Sequence, residues 1–120
     1  MTLMDLERVI RAAWGYDTSE DPDEWSTDNP ARGQCAVTAL LIRDLFGGDI
    51  LIATVFPSAG PPRERHAWNR LPSGIEVDLT ADQFRNGESV GPPEVREPRA
   101  EPDDRKRYDR FAARVRTALA

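Results

Sequence analysis

Cys35 is the only cysteine in the 120 residues, and His66 is the only histidine. A thiolate is a strong nucleophile and an imidazole can accept the thiol proton, so the two residue types suit nucleophilic catalysis. A carboxylate or amide beyond the histidine would fix the ring's tautomer. Asp78 follows twelve residues after His66, with Glu76 two residues before it as a substitute. Such a set attacks a carbonyl, forms a thioester, and passes the acyl group to water or an amine. A hydrolase and an acyl transferase share that first half. One reactive thiol also suffices for redox sensing through a sulfenic acid, although no second cysteine can resolve it within the chain.

For this chemistry Cys35 must open a helix. Residues 34–46 are apolar on most sides, which predicts a buried central helix ending at Gly47-Gly48. Cys35 then sits in the first turn, where unpaired N–H groups and the helix dipole are expected to lower its pKa. Ile50–Phe56 reads as a buried strand. Arg65–Arg70 and Gly74–Leu79 read as a hairpin turning at Leu71-Pro72-Ser73-Gly74. Pairing Leu71 with Gly74 sets His66 opposite Leu79 and leaves Asp78 one step off. A turn one residue longer, or a bulge, is expected to bring Asp78 opposite His66 on the same face. Asn69 points away from His66 on a regular strand and ranks lower as an orienter. The Cys35 N–H and the Gln34 amide are the oxyanion-hole candidates. Trp68 shares the His66 face and is placed to wall the site. Trp25 anchors the acidic loop Tyr16–Pro30 and is a further candidate for substrate contact.

Each of these residues also has a plainer reading. Cys35 can be a small core residue, Asp78 a helix cap, and the tryptophans core. The fold would then serve as a non-catalytic binding domain. One Cys and one His make a poor start for a tetrahedral metal site. No phosphate loop, dinucleotide fingerprint or serine-nucleophile elbow is present. No cofactor or metal is therefore expected.

Thr2 is placed to cap a first helix with Leu6, Val9, Ile10, Ala13 and Trp14 on one stripe. Thr80-Ala81-Asp82-Gln83 has capping-box form and predicts a short helix that carries Phe84 inward. Residues 85–102 read as a proline-rich linker or surface crossing. Residues 103–119 read as an amphipathic helix, with Tyr108, Phe111, Ala112, Val115 and Leu119 on one stripe packing on the body. The whole, residues 1–120, is expected to be a single α+β domain, large enough to dispense with a disulfide. The net charge is −5, with eight acids against two bases in residues 1–30. No basic face emerges, which argues against nucleic acid or anionic lipid as a partner. Apolar runs are too short to span a bilayer and no signal peptide is apparent, so a cytoplasmic protein with a small-molecule or peptide substrate is expected.

Trp25, the run Asn29-Pro30-Ala31-Arg32-Gly33-Gln34-Cys35-Ala36, then Gly47-Gly48, His66-Ala67-Trp68-Asn69 and Asp78-Leu79-Thr80-Ala81-Asp82-Gln83-Phe84 together resemble the YunG-like family of small bacterial proteins. The resemblance covers about half the chain, from Trp25 to Phe84. More distantly, the cysteine helix, the His-Ala-Trp strand and the acidic strand look like the core of transglutaminase-like and NlpC/P60-like papain folds. That likeness implies a papain-like core: a helix opening on the cysteine, packed on a small antiparallel sheet and flanked by terminal helices. In those folds the matching positions make Cys35 the nucleophile, His66 the base and Asp78 the orienter. The chain departs from them in being short and in lacking a recognisable substrate domain.

Overall fold

The computed structural model describes residues 2–97 and 102–120, with side chains described from residue 104 onward in the second stretch. Helix α1 spans Leu3–Ala13 and opens on a capping box between Thr2 and Asp5. Helix α2 runs Cys35–Phe46. The strands are β1 (Asp49–Phe56), β2 (Glu64–Arg70), β3 (Glu76–Val77), β4 (Ser89–Val90) and β5 (Glu94–Arg96), and α3 closes the chain at Pro102–Leu119. The five strands make one antiparallel sheet in the order β3-β2-β1-β4, with β5 also on β1. The architecture is α+β, with three helices and a small antiparallel sheet.

The core is where α1, α2 and α3 meet. Leu6, Ile10, Leu41, Phe111 and Val115 are all fully buried there. Arg114 of α3 reaches back to the Ala13 carbonyl and to Asp17, which ties the last helix to the end of the first. The proline-rich stretch is an extended crossing that also supplies β4 and β5, both exposed on the outer edge of β1. The part of it at 98–101 lies outside the described residues.

Strand alternation decides which side chains share a face. Ala53 pairs with His66 and Leu51 with Trp68, so these four lie on one face. Helix α2 covers the other face: Asn69 donates to the Ala39 carbonyl at 3.0 Å, and Ile50, Ile52 and Ala67 adjoin Ala36, Ala39 and Leu40.

The β2–β3 turn is one residue longer than a Leu71–Gly74 pairing, since the Leu71 N–H bonds the Ile75 carbonyl and Asn69 pairs with Val77. Contrary to the sequence expectation, the longer turn does not put Asp78 opposite His66. Continued one step, this register sets Asp78 opposite Trp68, on the His66 face but diagonal to it, still within side-chain reach. The second hairpin strand is also short, two residues rather than six, and Thr80 makes no side-chain cap to the 3₁₀ turn Ala81–Gln83.

Candidate functional site

The turn before α2 is built around Gly33, at φ 74°. A Cβ there would lie 2.2 Å from Ser19 Oγ and 2.8 Å from the Asp21 backbone nitrogen. Only glycine fits both the left-handed backbone and the close approach of the loop. The Glu20 N–H bonds the Gly33 carbonyl at 2.9 Å, and Ser19 Oγ donates to the Arg32 carbonyl at 2.8 Å. The acidic loop is thereby laced to the segment that delivers Cys35.

Cys35 opens α2 and is 7% exposed. It lines a cleft of about 790 Å³ whose other walls include Glu20, Arg32, Pro57, Ser58 and Gln83. Arg32 crosses one wall, gripping Glu64 at 2.7 and 3.0 Å and Asp21 at 2.9 and 3.1 Å. These carboxylates raise the arginine's pKa further, Glu64 foremost.

The thiol is pushed up to about 12, which reverses the sequence expectation of a lowered pKa. Loss of water around the sulfur is the main cause, and the carboxylates of Glu20 and Asp78 add to it. The N–H groups of Ala67 and Ala36 pull the other way and are outweighed. Glu20 is exposed, although protein atoms crowd around its carboxyl. Its own carboxyl sits above the ordinary value, from that crowding first and from Asp104 second.

His66 is 1% exposed. Its ring stacks on Trp68 at 5.5 Å and meets Phe84 edge-on at 5.0 Å. Nε2 lies 2.7 Å from Asp78 Oδ2, and Nδ1 lies 3.4 Å from Gln83 Nε2. Asp78 is thus the acid on the ring. Glu76, the substitute, bonds the Trp68 indole N–H at 2.7 Å instead.

The ring leaves β2 on the face that α2 does not cover. Cys35 approaches the same strand from the other side and meets its N–H at Ala67, the residue after His66. Among the described residues no hydrogen bond joins sulfur to imidazole, and Gln83 touches both neighbourhoods.

The remaining candidates fall elsewhere. Gln34 is fully buried and absent from the cleft wall. Its Nε2 donates to the Gly15 carbonyl at 3.0 Å and its Oε1 accepts from Thr18 at 2.8 Å, so its amide fastens the end of the α1 loop. Trp25 is half-buried and bonds the Pro30 carbonyl at 2.9 Å within its own loop. The residues missed from sequence are Gln83 and Glu20. Gln83 belonged to a segment read as a helix start and quoted for the family resemblance without a role of its own, and Glu20 was one acid among eight. No spacing signal marks Glu20, and for Gln83 the motif block was the one signal available. Among the described residues no cluster of three His, Cys, Asp or Glu side chains is placed to hold a metal, and no helix is long and apolar enough to cross a membrane.

A family model described as YunG protein matches residues 2–120. The uncharacterized protein YunG of Bacillus subtilis (strain 168) is 34% identical over 80 residues, 67% of this chain. That stretch spans 61% of the relative's length. No solved structure matches the chain.

Proposed function

The chain belongs to the YunG family, and from that membership and the geometry around Cys35 we propose a cysteine-dependent amide or ester hydrolase, or acyl transferase, on a papain-like architecture. One observation carries the reading. The thiol at the start of α2 lines a large cleft and meets the Ala67 N–H of β2, while the His66 ring leaves the opposite side of that strand with Nε2 held by Asp78 at 2.7 Å and Nδ1 beside Gln83, which lines the same cleft. Nδ1 is then the nitrogen left to act as base.

As Sγ bonds to a substrate carbonyl carbon, the S–H proton passes to Nδ1 and the carbonyl oxygen becomes an oxyanion. The Cys35 N–H, at the helix start and without a backbone partner among the described residues, is a donor for that oxygen. Collapse breaks the C–N or C–O bond, and Nδ1–H gives its proton to the leaving group. Water or an amine then attacks the thioester, and its proton returns through Nδ1 to sulfur. Because the thiol is protonated at rest, sulfur loses its proton during attack rather than before it. The substrate is a small carbonyl compound or a peptide that fits the cleft beside Arg32 and Glu20.

The test is acylation by an activated ester such as p-nitrophenyl acetate, followed by intact-protein mass. The folded protein is expected to gain one acetyl group, on Cys35. His66→Gln is expected to slow this by roughly 100-fold or more, the usual contribution of a general base. A folded His66→Gln protein that acylates at the wild-type rate removes the base from the scheme and refutes it.

One observation favours a second reading, a non-catalytic binding domain. At rest the thiol is strongly protonated and both ring nitrogens have partners. In that case the folded Cys35→Ala protein retains full cellular function. Loss of function in the folded variant excludes it.

A further inference from the structure

Gln83 is 4% exposed and lines the same cleft as Cys35. Its two amide atoms face different partners. Oε1 accepts the Gly33 backbone N–H at 3.2 Å, and Nε2 stands 3.4 Å from His66 Nδ1. A backbone N–H can only donate, so the Gly33 contact fixes which end of the amide is oxygen. The end facing the ring is therefore NH₂, which can only donate as well. Nδ1 must accept and carry no proton, and the ring proton must sit on Nε2, where Asp78 receives it.

We propose that Gln83 is the positioning residue of the Cys35–His66 pair, setting the ring's tautomer through Gly33 and holding Nδ1 unprotonated until substrate arrives. The proposal rests on the acyl-transfer reading for what substrate does. A carbonyl oxygen entering the cleft offers the Gln83 NH₂ a better acceptor than a 3.4 Å contact with a ring nitrogen. When the NH₂ turns to that oxygen, the Nδ1 lone pair is released for the thiol proton. A protonated ring at rest would point Nδ1–H at the same NH₂, donor against donor. The contact thus opposes a standing thiolate–imidazolium pair and accords with a thiol that remains protonated. Gly33 makes the arrangement stiff, since the strand-side amide and the turn carrying Cys35 are joined through its N–H.

The single histidine and single cysteine make the test clean. The ring nitrogens of His66 are read by nitrogen-15 NMR at neutral pH, and Cys35 by its iodoacetamide alkylation rate near pH 8. Wild type is expected to show one neutral tautomer, protonated on Nε2. Gln83→Ala frees Nδ1 for the thiol and is expected to speed alkylation about 5-fold, the effect of one hydrogen bond. Gln83→Glu keeps an acceptor for Gly33 N–H but turns a second acceptor toward the ring, so both nitrogens are expected to carry hydrogen. It also guards against the alanine variant failing to fold. An unchanged Nε2–H tautomer in folded Gln83→Glu, or a wild-type alkylation rate in folded Gln83→Ala, overturns the proposal. A ring that responds as expected in a protein that p-nitrophenyl acetate does not acylate supports the tautomer control and refutes the acyl-transfer reading.

Discussion

The burial of Cys35 makes a quantitative claim about its reactivity. A thiol in an unfolded chain, with a pKa of about 8.5, is roughly one-quarter ionised near pH 8. A thiol at about 12 is ionised to roughly one part in ten thousand, a deficit of about three orders of magnitude. The more basic thiolate is more nucleophilic, with a Brønsted slope of about 0.4–0.5, which recovers about one and a half of those orders. The folded protein should therefore alkylate roughly 50-fold more slowly than the same chain in denaturant. Cover by the cleft walls slows it further. The assay is iodoacetamide labelling followed by intact mass at a series of pH values. In the folded state the rate should keep rising with pH well past 9. Replacing Glu20 by Gln removes one of the carboxylates that oppose the thiolate, so it should shift the profile toward lower pH. A folded rate equal to the denatured rate, or one that levels off below about pH 9, would refute the reasoning that desolvation outweighs the helix start.

The same thiol affects alkaline stability. In the unfolded chain it ionises first, so the native state holds the extra proton and stability falls as pH rises from about 8.5 toward 12, by up to about 1.4 kcal/mol per pH unit. Urea unfolding of Cys35→Ala should show a shallower decline. Some slope should remain, because Tyr108 is also pushed up to about 12 by burial and by Asp44. Gly33→Ala should cost about 1–3 kcal/mol through its backbone conformation alone, with the clash against Ser19 adding to it, and should lower the urea midpoint. Phe111→Ala, at a fully buried site joining α3 to the other helices, should cost about 3–5 kcal/mol in the same measurement.

Local patterning carried the helices well. The apolar run after Gln34 and the glycines at 47 and 48 marked α2, and Thr2 marked α1. These depend on neighbours in sequence. The acid on His66 depended on the length of one turn, and the register fell on a third arrangement with Asp78 diagonal to the ring. The pKa of Cys35 was misread because its dominant causes come from elsewhere: burial by distant segments, Glu20 from the loop after α1, and Asp78 from beyond the hairpin. Gln34 shows a similar failure. Adjacency to Cys35 suggested a shared task, but the helix start turns its amide toward Gly15 and Thr18. Gln83 had the residue type of a capping-box partner, yet its carboxamide went to Gly33 and His66 fifty and seventeen residues away.

The lacing around Gly33 gives the cleft two walls of unequal mechanical character. On one side Ser19, Glu20 and Arg32 are bonded to the turn that delivers Cys35, so that wall and the sulfur move as one block. On the other, the loop from Ser58 to Arg63 is exposed throughout, and among the described residues a Cβ at Gly60 would meet nothing within 4 Å beyond its own chain neighbours. Under the acyl-transfer proposal, exchanges in the exposed Ser58–Arg63 loop are expected to alter which substrates are accepted while leaving the Gly33 bonds around Cys35 in place.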